Sequence, residues 1–347
     1  MSKVLDNKCP SCGAAIHFKP ELGKFKCDYC DSEFTAEQLK DMDKLSKEED
    51  NYSNYVNYNC PDCGAEIITD DNTAATFCVY CGNTSIIKNR LSGEFAPSKI
   101  IPFKIEKQKA IDAFKNLRKG RPLTPKLFTN EKNIEKITGV YIPFWLYDVN
   151  VSGTVSAKAT KVSSWSVGDT RYTKTDYYNV VRSGDMSYRR VPVDGSTRFN
   201  NDMMNSIEPF DYNKLIDYNH AYLSGFLAEK YDVSKDDAFS DAKTRTLNST
   251  KDQMLSSMLG YSSKTITSNN LESSINSTEY VLLPVWMVNV KYKDEYYLFA
   301  MNGESGKFIG NIPLDKKKAL LLTIIVLIIS FLICVGISYL IYLGGQA

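Results

Sequence analysis

Histidine is almost missing from this 347-residue chain, which has two, His17 and His220. That scarcity leaves few ways to assemble a histidine-based triad. No G-x4-G-K-[ST] phosphate loop is present. Gly303-Glu304-Ser305-Gly306-Lys307 is followed by Phe308 and reads as a hairpin turn. Neither H-E-x-x-H nor G-x-S-x-G occurs. The scattered Asp and Glu residues form no paired pattern beyond ordinary surface charge, and the chain is expected not to be an enzyme. Net charge is small too: 42 Lys and Arg against 41 Asp and Glu give +1. A nucleic-acid partner therefore has no global electrostatic argument behind it. Met1 to Lys8 lacks the apolar run that a secretory signal needs.

Hydrophobic residues make up 43% of the chain, enough for packed cores, and the length suggests two or three domains. The cysteines say more. There are nine, and eight fall into two sets: Cys9, Cys12, Cys27, Cys30 and Cys60, Cys63, Cys78, Cys81. Each set reads C-x2-C-x14-C-x2-C, and the second repeats the first 51 positions later. The flanks repeat as well: Cys9-Pro10-Ser11-Cys12-Gly13-Ala14 against Cys60-Pro61-Asp62-Cys63-Gly64-Ala65, with Tyr29 and Tyr80 before the last cysteine of each set. A small unit has been duplicated.

Two cysteines separated by two residues can turn back and offer both thiolates to one ion. The following glycine permits the backbone conformation this turn needs. Two such knuckles joined by a hairpin place four sulfurs around a tetrahedral Zn2+. A unit this small has little core, so metal binding supplies much of its folding energy. Four thiolates leave no open coordination position, and two structural zinc ions are expected. An iron–sulfur cluster takes the same ligands, but the paired knuckles favour zinc. A disulfide framework would need an oxidising compartment.

Ala319 to Leu343 is a 25-residue run without charge, rich in Leu, Ile and Val. At ~1.5 Å per residue it spans roughly 37 Å, enough to cross a hydrocarbon core as one transmembrane helix. Lys316, Lys317 and Lys318 precede it, and only Gly-Gly-Gln-Ala follows. The positive-inside rule then puts the N-terminal side in the cytosol, in agreement with reduced cysteines. Cys334 reads as a small apolar residue within the span. The Asn-x-Ser/Thr triplets at Asn83, Asn150, Asn248 and Asn276 carry no glycosylation meaning on that side of a membrane.

The remaining chain divides by pattern. Ribbon one occupies 1–34. Thr35-Ala36-Glu37-Gln38 has the form of a capping box and opens a short polar helix to about Lys47, then Asn51 to Asn59 reads as a linker. Ribbon two occupies 60–87. An α+β domain with an antiparallel sheet follows over 99–313, leading to the membrane helix at 319–343. Lys99 to Lys136 is basic, with 11 Lys or Arg and four acidic residues. Within it Ala110, Ile111, Phe114 and Leu117 mark one face of an amphipathic helix whose lysine face is expected to be solvated. Val149, Val151, Gly153 and Val155 alternate with polar residues as in a strand, and Trp165–Val181 and Met186–Val193 read as further strands. Ser234-Lys235-Asp236-Asp237 caps a helix carrying Ala238, Phe239, Ala242, Met254, Leu255 and Met258, stopped at Gly260. Tyr280–Lys291, Tyr296–Met301 and Lys307–Ile312 form a meander with turn residues Asn302-Gly303 and Ser305-Gly306.

Zinc ribbons often bind nucleic acid, but residues 1–95 hold ten basic and sixteen acidic residues. A phosphate-binding module should be basic, so protein contact is the better reading of the ribbons. Their two C-P-x-C-G knuckles, the Tyr141-Ile142-Pro143-Phe144-Trp145 strand and the meander from Leu283-Pro284-Val285-Trp286 to Ile312-Pro313 together resemble a bacterial family. It comprises membrane-anchored proteins of Gram-positive bacteria with a transcription-factor-IIB-type zinc ribbon, and the resemblance covers nearly the whole chain. Some members are labelled replication-restart helicases, a label that reflects the cysteine pattern. Others resemble partners in envelope-stress complexes with phage-shock-protein-A-like and SPFH-domain (flotillin-like) proteins. The resemblance implies a membrane-anchored scaffold that recruits such partners, with the eight cysteines as zinc ligands and no catalytic residues. The alternative expectation is a membrane-tethered nucleic-acid-binding factor in transcription or replication, motivated by ribbon type and the basic segment.

Overall fold

The structure, a computed structural model, describes residues 9–39, 55–61, 63–70, 78–80, 87–89, 97–116, 119, 121, 123–125, 136–198, 201–292, 295–310, 312 and 314–344. Cys81 and the polar helix beyond residue 39 lie outside them, as do residues 51–54 of the expected linker.

The first cysteine unit is a small antiparallel sheet of β1 (Ile16–Lys19), β2 (Lys24–Cys27) and β3 (Glu33–Phe34). The capping box after it forms as its sequence predicts: Gln38 N donates to Thr35 Oγ1, and Thr35 N donates to Gln38 Oε1. The second unit contributes β4 (Tyr55–Asn59), β5 (Glu66–Asp70) and β6 (Ile87–Asn89). Residues 55–59 are thus strand rather than linker. Their local polarity suggests a connection, but β4 is held by partners on both sides, pairing with β5 and β6.

The elements that follow are β7 (Lys99–Ile100), α1 (Lys107–Asn116), β8 (Thr138–Val167), β9 (Thr170–Asp194), α2 (Asn201–Ile207), β10 (Ile216–Asp217), β11 (Leu227–Glu229), α3 (Lys235–Ser256), β12 (Ser263–Tyr292), β13 (Glu295–Asn302), β14 (Phe308–Gly310) and α4 (Lys316–Gly344). Apart from the three strands of the first unit, the strands join one eleven-stranded sheet in the order β10-β7-β12-β8-β11-β5-β4-β6, with β9 beside β8, β13 beside β12, and β14 beside β13. The class is α+β and the pairing mainly antiparallel. Two short parallel contacts, β7 with β12 and β11 with β8, interrupt it. Through β11 and β5 the second cysteine unit is continuous with the central sheet, pairing Ile68 with Ala228 and Ile67 with Glu229.

Successive strand residues point to opposite faces. On β8, Tyr141, Trp145, Tyr147, Val149 and Val151 enter one core with Phe103, Phe226, Trp286 and Phe299. Val140, Ile142, Phe144 and Leu146 enter another, with Ile207, Phe210, Val285 and Met287. The run Val140–Tyr147 therefore has no alternation because both faces are covered. Cys9, Cys27, Phe18 and Phe25 belong to the first core, and Cys60, Cys78 and Val79 to the second.

Three strands are far longer than their sequence pattern suggests. β8 and β12 run 30 residues each and β9 runs 25. What reads as one strand, Trp165–Val181, contains the hairpin turn between β8 and β9 at Gly168, whose φ is +59°. The second expected strand, Met186–Val193, is the continuation of β9. Residues 263–279 of β12, rich in Ser, Thr and Asn, carry little apolar signal. They are strand because they pair with β8 from Ser263↔Thr160 onward. α3 covers one face of this arm; it ends at Ser256, short of the expected stop at Gly260, and Met254 on it and Met258 just beyond it pack on Val155, Ala157, Ala159 and Val180. Its cap is as expected: Ser234 Oγ accepts from Asp237 N. On α1, Ala110 and Phe114 are buried, with the Phe114 ring 5.5 Å from that of Phe299. α4 is the one described helix long and apolar enough to cross a membrane; the most apolar 18-residue stretch within its Lys316–Ile337 portion has a mean hydropathy of 3.2.

Candidate metal centre

Both cysteine units start from the same local geometry. Gly13 and Gly64 sit at φ +77° and +69°, a region that side chains with a Cβ resist. In the first unit Gly13 N donates to Cys9 O, and Cys9 N to Ala14 O; in the second, Gly64 N donates to Cys60 O, and Cys60 N to Ala65 O. These bonds close each knuckle and aim its two thiols the same way.

The sulfurs converge. Cys9 Sγ lies 3.4 Å from Cys30 Sγ, and Cys12 Sγ lies 3.5 Å from Cys27 Sγ. All four fall within 4.8 Å of one another. In the second unit Cys63 and Cys78 are 3.6 Å apart, and Cys60 completes a group of three within the same limit. A tetrahedral ion with metal–sulfur bonds of about 2.3 Å has sulfur–sulfur edges of about 3.8 Å, which these spacings match. A disulfide requires roughly 2.05 Å, so none is formed among the described cysteines. The donor set thus fits one thiolate-held ion per unit, the second from the three cysteines that are described. Ser32, through its hydroxyl and its backbone, lowers the Cys30 thiol to about 6, favouring the thiolate a metal requires. Cys12 moves to about 12: the Ala14 backbone pulls it down, while burial and the hydrogen bonds of the other three thiols outweigh that pull. Loading such a set with metal releases protons.

The first unit is seated on the central domain. Strand register places Phe18 opposite Phe25, and both rings meet Tyr222 at 5.1 Å. Ser224 Oγ donates to Ile16 O at 2.6 Å, and His17 Nδ1 sits 3.1 Å from the same hydroxyl. His17 Nε2 is 3.6 Å from Asp28. His17 therefore spends its nitrogens on the docking contact and on Asp28, not on the metal site.

The second unit rests on a buried polar network that sequence reading missed. Arg198 donates to Gly64 O at 2.7 Å and to Asp232 Oδ2 at 3.0 Å, and lies 3.5 Å from Glu229. Ser196 Oγ donates to Glu229 Oε1 at 2.7 Å, while Thr197 donates to Asp232 through its amide and its hydroxyl. Asn289 Nδ2 donates to Tyr80 O. Burial raises Glu229 to about 7, with Ser196, Tyr80 and Arg198 pulling it back. Asp194, raised to about 8 by burial and then by the charge of Glu229, completes the group. Glu229 is fully buried, so the network is a closed joint rather than an open pocket. One sequence signal was available: an acid within the short apolar strand Leu227-Ala228-Glu229.

An open cleft of about 800 Å3 lies elsewhere, lined in part by Asp148, Tyr188, Arg189, Arg190 and Tyr212. Its acids are engaged, Asp148 by Arg190 N at 2.8 Å and Asp211 by Asn213 N at 3.2 Å.

Across 315 residues the chain is 36% identical to the uncharacterized protein YdjG of Bacillus subtilis (strain 168), an alignment that spans 91% of this chain and 92% of that relative. No family model matches the chain, and no solved structure matches it.

Proposed function

The chain belongs to the family of the uncharacterized protein YdjG, and we propose that it is a non-enzymatic scaffold, anchored in a membrane, that holds two structural zinc ions and recruits partner proteins. One observation carries this reading: two convergent cysteine sets are built firmly onto a domain that leads directly into an apolar helix. Zinc is the ion because all-thiolate tetrahedral sites of paired knuckles suit it, and four sulfurs leave no position for a reacting ligand. α4 is the anchor. The lysines at 316–318, one turn before its apolar stretch, support a cytoplasmic location for everything N-terminal to it. Free thiols support the same side.

The acidic balance of residues 1–95 favours a protein over a nucleic acid at the zinc units. The resemblance to transcription-factor-IIB-type ribbon proteins of envelope-stress complexes suggests SPFH-domain or phage-shock-protein-A-like partners. A second reading, a membrane-tethered nucleic-acid factor, has the exposed lysines of α1 in its favour.

The test is purification of the full-length protein in mild detergent after nuclease treatment, with identification of what accompanies it. A small set of membrane or stress-response proteins is expected, and Cys60→Ser with Cys63→Ser should remove some of them. Companions limited to transcription or replication proteins, lost with nuclease, would overturn the scaffold reading in favour of the second.

A further inference from the structure

The far end of the β8–β9 hairpin lacks what a sheet needs. β12 stops accompanying β8 at Thr160, yet β8 and β9 remain paired out to Val167↔Thr170. Beyond that point the arm is two strands wide, and a two-stranded ribbon is marginal in water on its own. It is also poorly covered by the described residues: Trp165 is 50% exposed, Tyr172 47% and Tyr177 74%, and among those residues the Trp165 and Tyr172 rings stack only on each other, at 5.7 Å.

The free edge is open as well. Among the described residues β9 has a strand neighbour on one side only. From Thr170 to Ser183 it contains no proline and no bulge against β8, and the charges it does carry, Arg171, Lys174, Asp176 and Arg182, are of both signs, so they select a partner rather than repel every one. We propose that this edge pairs antiparallel with the same edge of a second copy of the chain, about Thr175, joining two arms into one continuous sheet.

The charges select that register. With Thr175 opposite Thr175 of the second copy, Lys174 faces Asp176 of the second copy, and this happens twice by symmetry. Tyr172 faces Tyr178 of the second copy on the same side, and Thr173 faces Tyr177 of the second copy on the other. Centring the pair on Lys174 or on Asp176 would set like charges directly opposite, which is destabilising. Centring on Thr173 or Tyr177 leaves Lys174 against Tyr172 or Val180. Registers centred between residues would break the alternation of inward and outward backbone groups. The chain's own Lys174–Asp176 contact, 3.1 Å, lies on the surface and leaves both groups able to reach across.

The test uses full-length protein in mild detergent, with mass measured by sedimentation and folding checked by circular dichroism. Wild type should run as two chains. Lys174→Glu and Asp176→Lys should each weaken self-association by about tenfold or more, since each puts like charges opposite at both contacts. Mixed one to one, the two variants should recover the two-chain species, because each then supplies what the other lacks. A wild type that stays single throughout the micromolar range overturns the proposal. So does an association that both variants leave unchanged, which would place it on another surface such as α4, or a mixture that fails to recover it.

Discussion

Replacing Asp194 by Asn should make the protein more stable at pH 8 and flatten its pH dependence. Asp194 is held near a pKa of about 8 against an ordinary 3.8, first by burial and then by the neighbouring charge of Glu229. A carboxyl whose folded pKa is raised binds more protons folded than unfolded between those two values. Its effect is absent below about pH 4, and stability falls as pH rises through the window toward 8. Each tenfold difference in proton affinity between the folded and unfolded chain corresponds to about 1.36 kcal/mol. The full span would exceed about 5 kcal/mol, but Asp194 and Glu229 share protons, so about 2–4 kcal/mol is the expected cost at pH 8. An Asn side chain removes the charge and keeps an oxygen that accepts from Ser196 N, as Asp194 does at 3.1 Å. Thermal unfolding followed by tryptophan fluorescence is a suitable assay, because Trp145 and Trp286 are buried in the same sheet. Wild type should lose midpoint from pH 5 to pH 8. The variant should change less and lie about 3–6 °C above wild type at pH 8. A variant less stable than wild type at pH 8 would refute the reasoning, since it would mean an ionised carboxylate held by favourable contacts.

Other changes probe the joints beneath the cysteine units. Arg198→Met removes the cation facing Glu229 and the donor to Gly64 O; breaking such a buried pair costs about 3–5 kcal/mol, and hydrogen exchange over residues 64–69 should accelerate. Phe25→Ala deletes a buried ring packed on Phe18 and Tyr222, a loss of about 3–5 kcal/mol that should appear as faster exchange over residues 16–19. Cys9→Ser with Cys12→Ser should lower the metal content by one ion per chain, read by elemental analysis of protein purified without added metal.

What could be read from the residues was local. The knuckle glycines, the Thr35 box, the Ser234 cap and the turns at Gly303 and Gly306 each depend on neighbours within a few positions. So does the apolar stretch of α4. The length of the arm was not legible, because residues 263–279 are Ser, Thr and Asn with little apolar content, and only pairing with β8 makes them strand. The second cysteine unit looked self-sufficient in sequence, yet β5 is held by β11, which lies some 160 residues further along. The network under it draws on Gly64, Tyr80, Asp194, Ser196, Arg198, Glu229 and Asp232. No spacing rule connects those positions; folding of the sheet does.

The scaffold reading rests on partners being held at the membrane through this chain. The direct measurement compares cells expressing the full chain with cells expressing it without Lys316–Gly344, and follows the co-purifying proteins between the membrane and soluble fractions. If the account holds, the shortened chain and its partners move together into the soluble fraction. Partners that stay with the membrane while the shortened chain leaves would contradict it.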